Sequence, residues 1–254
     1  MKLFFLILLG AWAMPASAQL KVIISGGFSS AYEQLVPEFE RASGVKVETG
    51  SGASQGTGPQ TIGAQLARGV AADVVILSRE GLAELVAVKR IAAGTDVDLA
   101  RVPLGAAVKA GAPKPDVTTV EGFKRAVTSA KLVAVPGSTS GIWLKEELFP
   151  RLGIADKVNI RMTPRGSGAT AMVASGEAEL AVLPVSEILH ASGVDYVGKL
   201  PQEIQFDQTF SAAVVAASRE AVSAKRLIDF LTSERAATVI RKSGMEPFGK
   251  RAAQ

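Results

Sequence analysis

Apolar and polar positions follow two rhythms along this chain, and the rhythms take turns. Leu20 to Ile24 is a short β-rich run. From Ala31 to Ala42 the apolar positions Leu35, Val36 and Phe39 fall at helical spacing, and Ser43-Gly44 supplies a stop. Val45 to Glu48 alternates as a half-buried strand; residues 59–68 predict a helix closed by Gly69. Asp73 to Leu77 is a continuous apolar run, the mark of a strand covered on both faces. A helix over 80–89 follows. The rhythm restarts with a strand over 102–109, a loop at Gly111 to Pro115 and a helix over 120–130. Strands over 132–135, 158–162 and 178–183 then alternate with helices over 142–148, 169–175 and 186–191. A strand over 211–217 and helices over 221–231 and 233–241 close the chain. Strand–helix alternation of this kind builds α/β sheets with helices on both faces. Two such units are expected: lobe one from residues 19–104 plus 209–254, and lobe two from 105–208. The chain then crosses between lobes twice, near 101–107 and near 208–213, which makes a two-strand hinge.

Four of the strand-to-helix junctions share one design, small and rich in Gly and hydroxyls. They are Gly26-Gly27-Phe28-Ser29-Ser30, Gly50-Ser51-Gly52-Ala53-Ser54, Gly137-Ser138-Thr139-Ser140-Gly141 and Arg165-Gly166-Ser167-Gly168. A helix N-terminus carries unpaired N–H groups and a partial positive charge, so each junction is suited to an anion. The candidate ligand-binding residues are Gly27, Phe28, Ser54, Ser138, Thr139, Ser140, Arg165, Gly166 and Ser167. Each has a plainer alternative. Phe28 suits a core, Ser140 a helix cap and Arg165 a solvated edge. No catalytic residue is expected.

Export is written at the N-terminus. Met1-Lys2, the apolar run Leu3 to Ala13 and Ala16-Ser17-Ala18 match a secretory signal, with cleavage after Ala18 into the periplasm. The apolar run is too short to span a bilayer comfortably. With no Cys, neither lipid attachment nor a disulfide is available, so the core alone must hold the fold. The formal charge of +4 is too mild, and the basic pairs too scattered, for a nucleic-acid surface. No metal site is expected from one His and no Cys, and no cofactor motif is present, since the glycine-rich loops lack the Lys-Ser/Thr of a phosphate loop.

The runs SGGFSSAYEQLVPEFERASGVKVETGSGAS, ARGVAADVVIL, KLVAVPGSTSGIWLKEEL, GSGATAMVASGEAELAVLPVSE and RLIDFLTSERAATVIRKSGMEPF, in that order, resemble the molybdate-binding branch of periplasmic solute-binding proteins. The resemblance implies a type II periplasmic-binding-protein fold of two Rossmann-like lobes. It also implies a monomer that delivers a small anionic ligand to the membrane permease of an ABC transporter. It places anion-binding donors near Ser54, Ser140 and Gly166, and two more at Gly27 and Pro184, where this chain offers no hydroxyl. Arg165 adds a planar guanidinium suited to carboxylates. An organic anion of the di- or tricarboxylate kind is therefore expected to bind more tightly than molybdate, with a molybdate-like oxyanion as the other candidate.

An enzyme reading stands beside this one. Gly52-Ala53-Ser54-Gln55-Gly56 fits G-x-S-x-G, and His190 follows in hydrolase order, so Ser54 is the candidate nucleophile of a secreted serine hydrolase. Against it, the preceding strand is polar and the following helix is delayed by Gly56-Thr57-Gly58-Pro59.

Overall fold

The computed structural model describes residues 19–248; the expected signal segment and its cleavage point fall outside them. Its elements run in chain order β1 (Gln19–Ile24), α1 (Gly26–Ser43), β2 (Lys46–Ser51), α2 (Ile62–Ala67), β3 (Val74–Ser78), α3 (Arg79–Ala87), β4 (Val97–Val102) and β5 (Leu104–Lys109). Next come α4 (Val120–Ser129), β6 (Val133–Pro136) and α5 (Thr139–Trp143), the last continuing through a π-helical Leu144–Leu148 into α6 (Phe149–Arg151). Then follow β7 (Ile160–Thr163), α7 (Gly166–Ser175), β8 (Leu180–Pro184), α8 (Val185–Ile188), β9 (Val194–Lys199), β10 (Gln208–Val214), α9 (Ala221–Leu231), α10 (Glu234–Lys242) and β11 (Glu246–Pro247).

These strands form two sheets, one to a lobe. The first has the order β11-β4-β10-β3-β1-β2 and the second β7-β6-β8-β5-β9. In each, the strands leading into helices pair in parallel, β1 with β2 and β3, and β6 with β7 and β8. The returning strands β10 and β5 run antiparallel beside them. Successive residues point to opposite faces, and both faces are covered. Val22, Ile24, Val74 and Ile76 join one core with α1 and α9, while Ile23, Val75 and Leu77 join another with α2 and α3. The second sheet does the same, with Val133, Val135 and Val182 on one side and Ala134, Ala181 and Leu183 on the other. That double covering is why the central strands read as unbroken apolar runs.

Three features depart from the sequence reading. The single strand expected over 102–109 is two strands in two sheets, β4 and β5, parted at Pro103. Pro lacks the N–H that would continue a ladder, so the chain leaves one sheet and enters the other there. Its carbonyl accepts from the Val185 N–H at 3.0 Å. Second, β9 was not expected; it is an edge strand of half-buried residues, without a clear apolar face. Third, α1, α5 and α7 begin at Gly26, Thr139 and Gly166, so three junctions expected as loops hold the first turns of helices.

The chain crosses between sheets at Pro103, within the expected 101–107, and again over residues 200–207, ahead of the expected 208–213, which already belong to β10 of the first sheet. The Gln205 side chain ties the crossings together. Its Oε1 accepts from the Leu104 N–H at 2.8 Å, and its Nε2 donates to the carbonyls of Leu104 and Leu200 at 3.2 and 3.0 Å.

Candidate functional site

The carboxyl ends of the parallel strands meet between the lobes, as ligand sites do in open α/β sheets. Ser25 follows β1, Gly52 to Ser54 follow β2, Ser138 and Ser140 follow β6, Arg165 follows β7, and Pro184 ends β8. All of them line one interlobe pocket, together with Gly26, Gly27, Gly166, Glu187, Gln208 and Phe210.

Helix caps divide by what they face. Thr61, Ser78, Thr119 and Ser233 accept hydrogen bonds from the first turns of α2, α3, α4 and α10, the ordinary use of an N-cap hydroxyl. At the pocket, Ser25, Ser138 and Arg165 precede α1, α5 and α7 without capping them. Three helix N-termini thus point their partial positive charge at one place. Three buried polar atoms of the pocket also have no partner: Ser25 Oγ, Arg165 Nε and Gln208 Oε1. Buried polar groups in native proteins are almost always bonded, and leaving one unmet costs roughly 1–3 kcal/mol. Three in one pocket, one a donor, one an acceptor and one a hydroxyl that can do either, mark a place built to exchange hydrogen bonds with something else.

The lobes are closed on each other. Ser186 Oγ donates to the Gly27 carbonyl at 2.6 Å, and the Gln55 N–H donates to Ser138 Oγ at 3.2 Å. Thr139 Oγ1 donates to Gln55 Oε1 at 2.8 Å and meets Ser78 Oγ at 2.7 Å. About 20 Å³ of free space is left in the inner pocket. Gly26, Arg165 and Glu187 also wall an adjoining outer cavity of about 440 Å³, within the size range of small-molecule sites.

Glu187 stands between the lobes on α8. A methyl group at either Gly26 or Gly166 would collide with its carboxylate, so the glycines at the starts of α1 and α7 let Glu187 approach both helices where it stands. No donor among the described residues bonds the Glu187 carboxyl. Burial pushes it up to about 7, against a smaller downward pull from the Arg165 charge.

Of the sequence candidates, Gly27, Ser54, Ser138, Ser140, Arg165 and Gly166 line the inner pocket. Ser167 is exposed and walls the outer cavity instead. Thr139 is buried with its hydroxyl engaged between the lobes. Phe28 needs correction: it is 0% exposed in the core of lobe one, because one turn into α1 it faces the sheet and away from the cleft. The Ser54 hydroxyl accepts from the Ser78 N–H at 2.9 Å, while His190 is exposed and walls the outer cavity, so the residues of the hydrolase reading are not assembled into a triad. Sequence reasoning missed Ser25, Glu187, Gln208 and Phe210. Ser25 lies one residue ahead of the glycine-rich junction that begins at Gly26. Glu187 carried no signal, since a Ser-Glu pair opening a short helix reads as a solvated face.

Comparison with known proteins fits this architecture. Residues 20–246 match the family described as bacterial extracellular solute-binding protein. The chain belongs to that family. An aconitate isomerase from Pseudomonas sp is 37% identical over 238 residues, covering 92% of this chain and 90% of that one. The molybdate-binding protein ModA of Escherichia coli (strain K12) is 23% identical over 247 residues, covering 91% and 90%. Among solved structures, the periplasmic molybdate-binding protein of Azotobacter vinelandii superposes with a TM-score of 0.69 at 20% identity, covering 92% of this chain and 100% of that one. The two-lobe periplasmic-binding-protein fold is thereby shown. Among the described residues, no helix is long and apolar enough to cross a membrane.

Proposed function

We propose that this solute-binding protein captures a small polycarboxylate between its lobes and delivers it to the membrane permease of an ABC importer. Export by the signal over residues 1–18, cleavage after Ala18 and a monomeric state in the periplasm belong to the same reading. The observation that carries it is Arg165. Arg165 lines the closed pocket ahead of α7 with its Nε buried and unbonded, and two further unbonded polar atoms, Ser25 Oγ and Gln208 Oε1, belong to residues lining the same pocket. Guanidinium is the side chain best matched to the planar fork of a carboxylate, whereas a tetrahedral oxyanion is satisfied by a ring of neutral donors. Gly27 and Pro184 line the pocket without a hydroxyl. The 37% identical aconitate isomerase, named for a tricarboxylate, supports the same ligand class and leaves catalysis open.

Calorimetry tests this. Trans-aconitate and tricarballylate are expected to bind more tightly than molybdate, tungstate or sulfate. Arg165→Lys should lose at least about tenfold in carboxylate affinity, since a hydrogen bond to a charged group is worth roughly 1.5–3 kcal/mol. Tight molybdate binding that ignores Arg165→Lys would overturn the reading.

A further inference from the structure

We infer that Glu187 is a catalytic residue, a proton carrier that moves a double bond along an unsaturated polycarboxylate held in this pocket. The inference rests on the polycarboxylate reading and adds a reaction to it.

The geometry supports it in three ways. The Glu187 carboxylate lies against the first turns of both α1 and α7, close enough that a Cβ at Gly26 or Gly166 would displace it. Like Gly26 and Arg165, it walls both the inner pocket and the outer cavity, so a ligand held in either has the Glu187 carboxyl among the wall groups. It is also the acidic side chain of the inner pocket, otherwise lined by uncharged residues and Arg165. In its ionised form a carboxylate there repels a bound anion, which binding alone does not call for. A site meant to take a proton from an anion needs one. A general base must reach its proton directly, and its own affinity for that proton should match the working pH. Burial holds the Glu187 carboxyl at about 7, where both protonation states are populated.

The step balances without a co-reactant. In an aconitate-type ligand a methylene lies next to the double bond and carries a carboxylate. Glu187 takes one methylene proton and that C–H bond breaks. The electron pair spreads over the three allylic carbons into a flanking carboxylate. Arg165 and the first turns of α1 and α7 meet that growing charge. Protonated Glu187 then returns the proton to the far allylic carbon, a new C–H bond forms, and the double bond has moved one place. The product is again an aconitate, and its cis or trans form is set by the arrangement about the former single bond, which has become the double bond. Nothing is oxidised or reduced.

The ionisable groups around Glu187 are Arg165 ahead of α7, Glu33 on α1 and His190 beyond α8, all on the outer cavity. Of these, Arg165 is the one whose charge acts on Glu187.

The test uses the mature protein with trans-aconitate in heavy water, followed by proton NMR, alongside calorimetry with tricarballylate, which has no double bond. The wild type is expected to form the cis isomer with deuterium incorporated. Its kcat/KM should rise with pH through about 7 as the carboxylate forms. Glu187→Gln should lose about a hundredfold or more in rate, the usual range for removing a general base, while its tricarballylate affinity does not fall. Glu187→Asp, which keeps the carboxyl, should retain part of the rate and guards against a folding defect in the first variant. Tricarballylate binding without isomerisation or exchange by the wild type overturns the proton carrier and leaves the binding reading standing. Full activity in Glu187→Gln overturns the assignment of the residue. Failure of both ligands to bind overturns the polycarboxylate reading and this inference with it.

Discussion

At Gly27 the missing side chain has a specific cause: a Cβ there would overlap the ring of Phe210, which is 1% exposed and fills the space a serine would need. Gly27→Ser should therefore lower the melting temperature, with about 1–3 kcal/mol lost to overpacking, and Gly27→Ser combined with Phe210→Leu should recover part of it; thermal melts of the three proteins decide. Glu187 makes a second prediction through pH. Its folded-state carboxyl sits at about 7, above the ordinary 4.5, so the folded protein holds a proton that the unfolded chain has released. Stability should fall as pH rises from about 4.5 to about 7 and flatten above, because the folded state binds the extra proton there. Melts of the ligand-free protein should show Glu187→Gln a few degrees more stable than its parent at pH 8, the gap closing by pH 4. The sequence revealed Arg165, Ser54, Ser138 and Ser140 because guanidinium and hydroxyls announce their chemistry. It hid Ser25, Glu187 and Gln208, whose meaning lies in having no partner once buried.

Elements show the same division. The central strands were legible because double covering turns them into apolar runs, and β3 is buried at every position. The starts of α1 and α7 were misplaced because Gly-Gly and Gly-Ser-Gly read as loop, whereas those glycines allow close approach: Gly26 and Gly166 to Glu187, and Gly168 to Thr163. Strand β9 was missed because an edge strand with half-buried residues alternates weakly. Capping supplies a prediction at this scale. Thr61→Ala and Ser78→Ala each remove an N-cap and should each cost about 1 kcal/mol in a denaturant titration. Only Ser78 also reaches across the cleft, to Thr139 at 2.7 Å. Ser78→Ala should therefore weaken ligand binding as well, and Thr61→Ala should leave it unchanged.

At the scale of the molecule, two lobes could be read from the restart of the strand–helix rhythm, and Pro103 marks the point where it restarts. How the lobes meet could not be read, because the pairs that close them lie far apart in sequence, 159 residues in the case of Ser186 and Gly27. Closure without direct ligand contact gives the last prediction. Ser186→Ala removes a bond made only between closed lobes, so it should populate the open form and weaken tricarballylate binding several-fold in calorimetry. The Gln205 amide bears on how that opening proceeds. By holding both the N–H and the carbonyl of Leu104, it stands in for a strip of backbone and locks the two crossings side by side. Two independent tethers would let the lobes tumble against each other in many directions. Two tethers fastened together behave as the pin of a door, leaving a single axis of swing, so that closing returns the same surfaces to register each time.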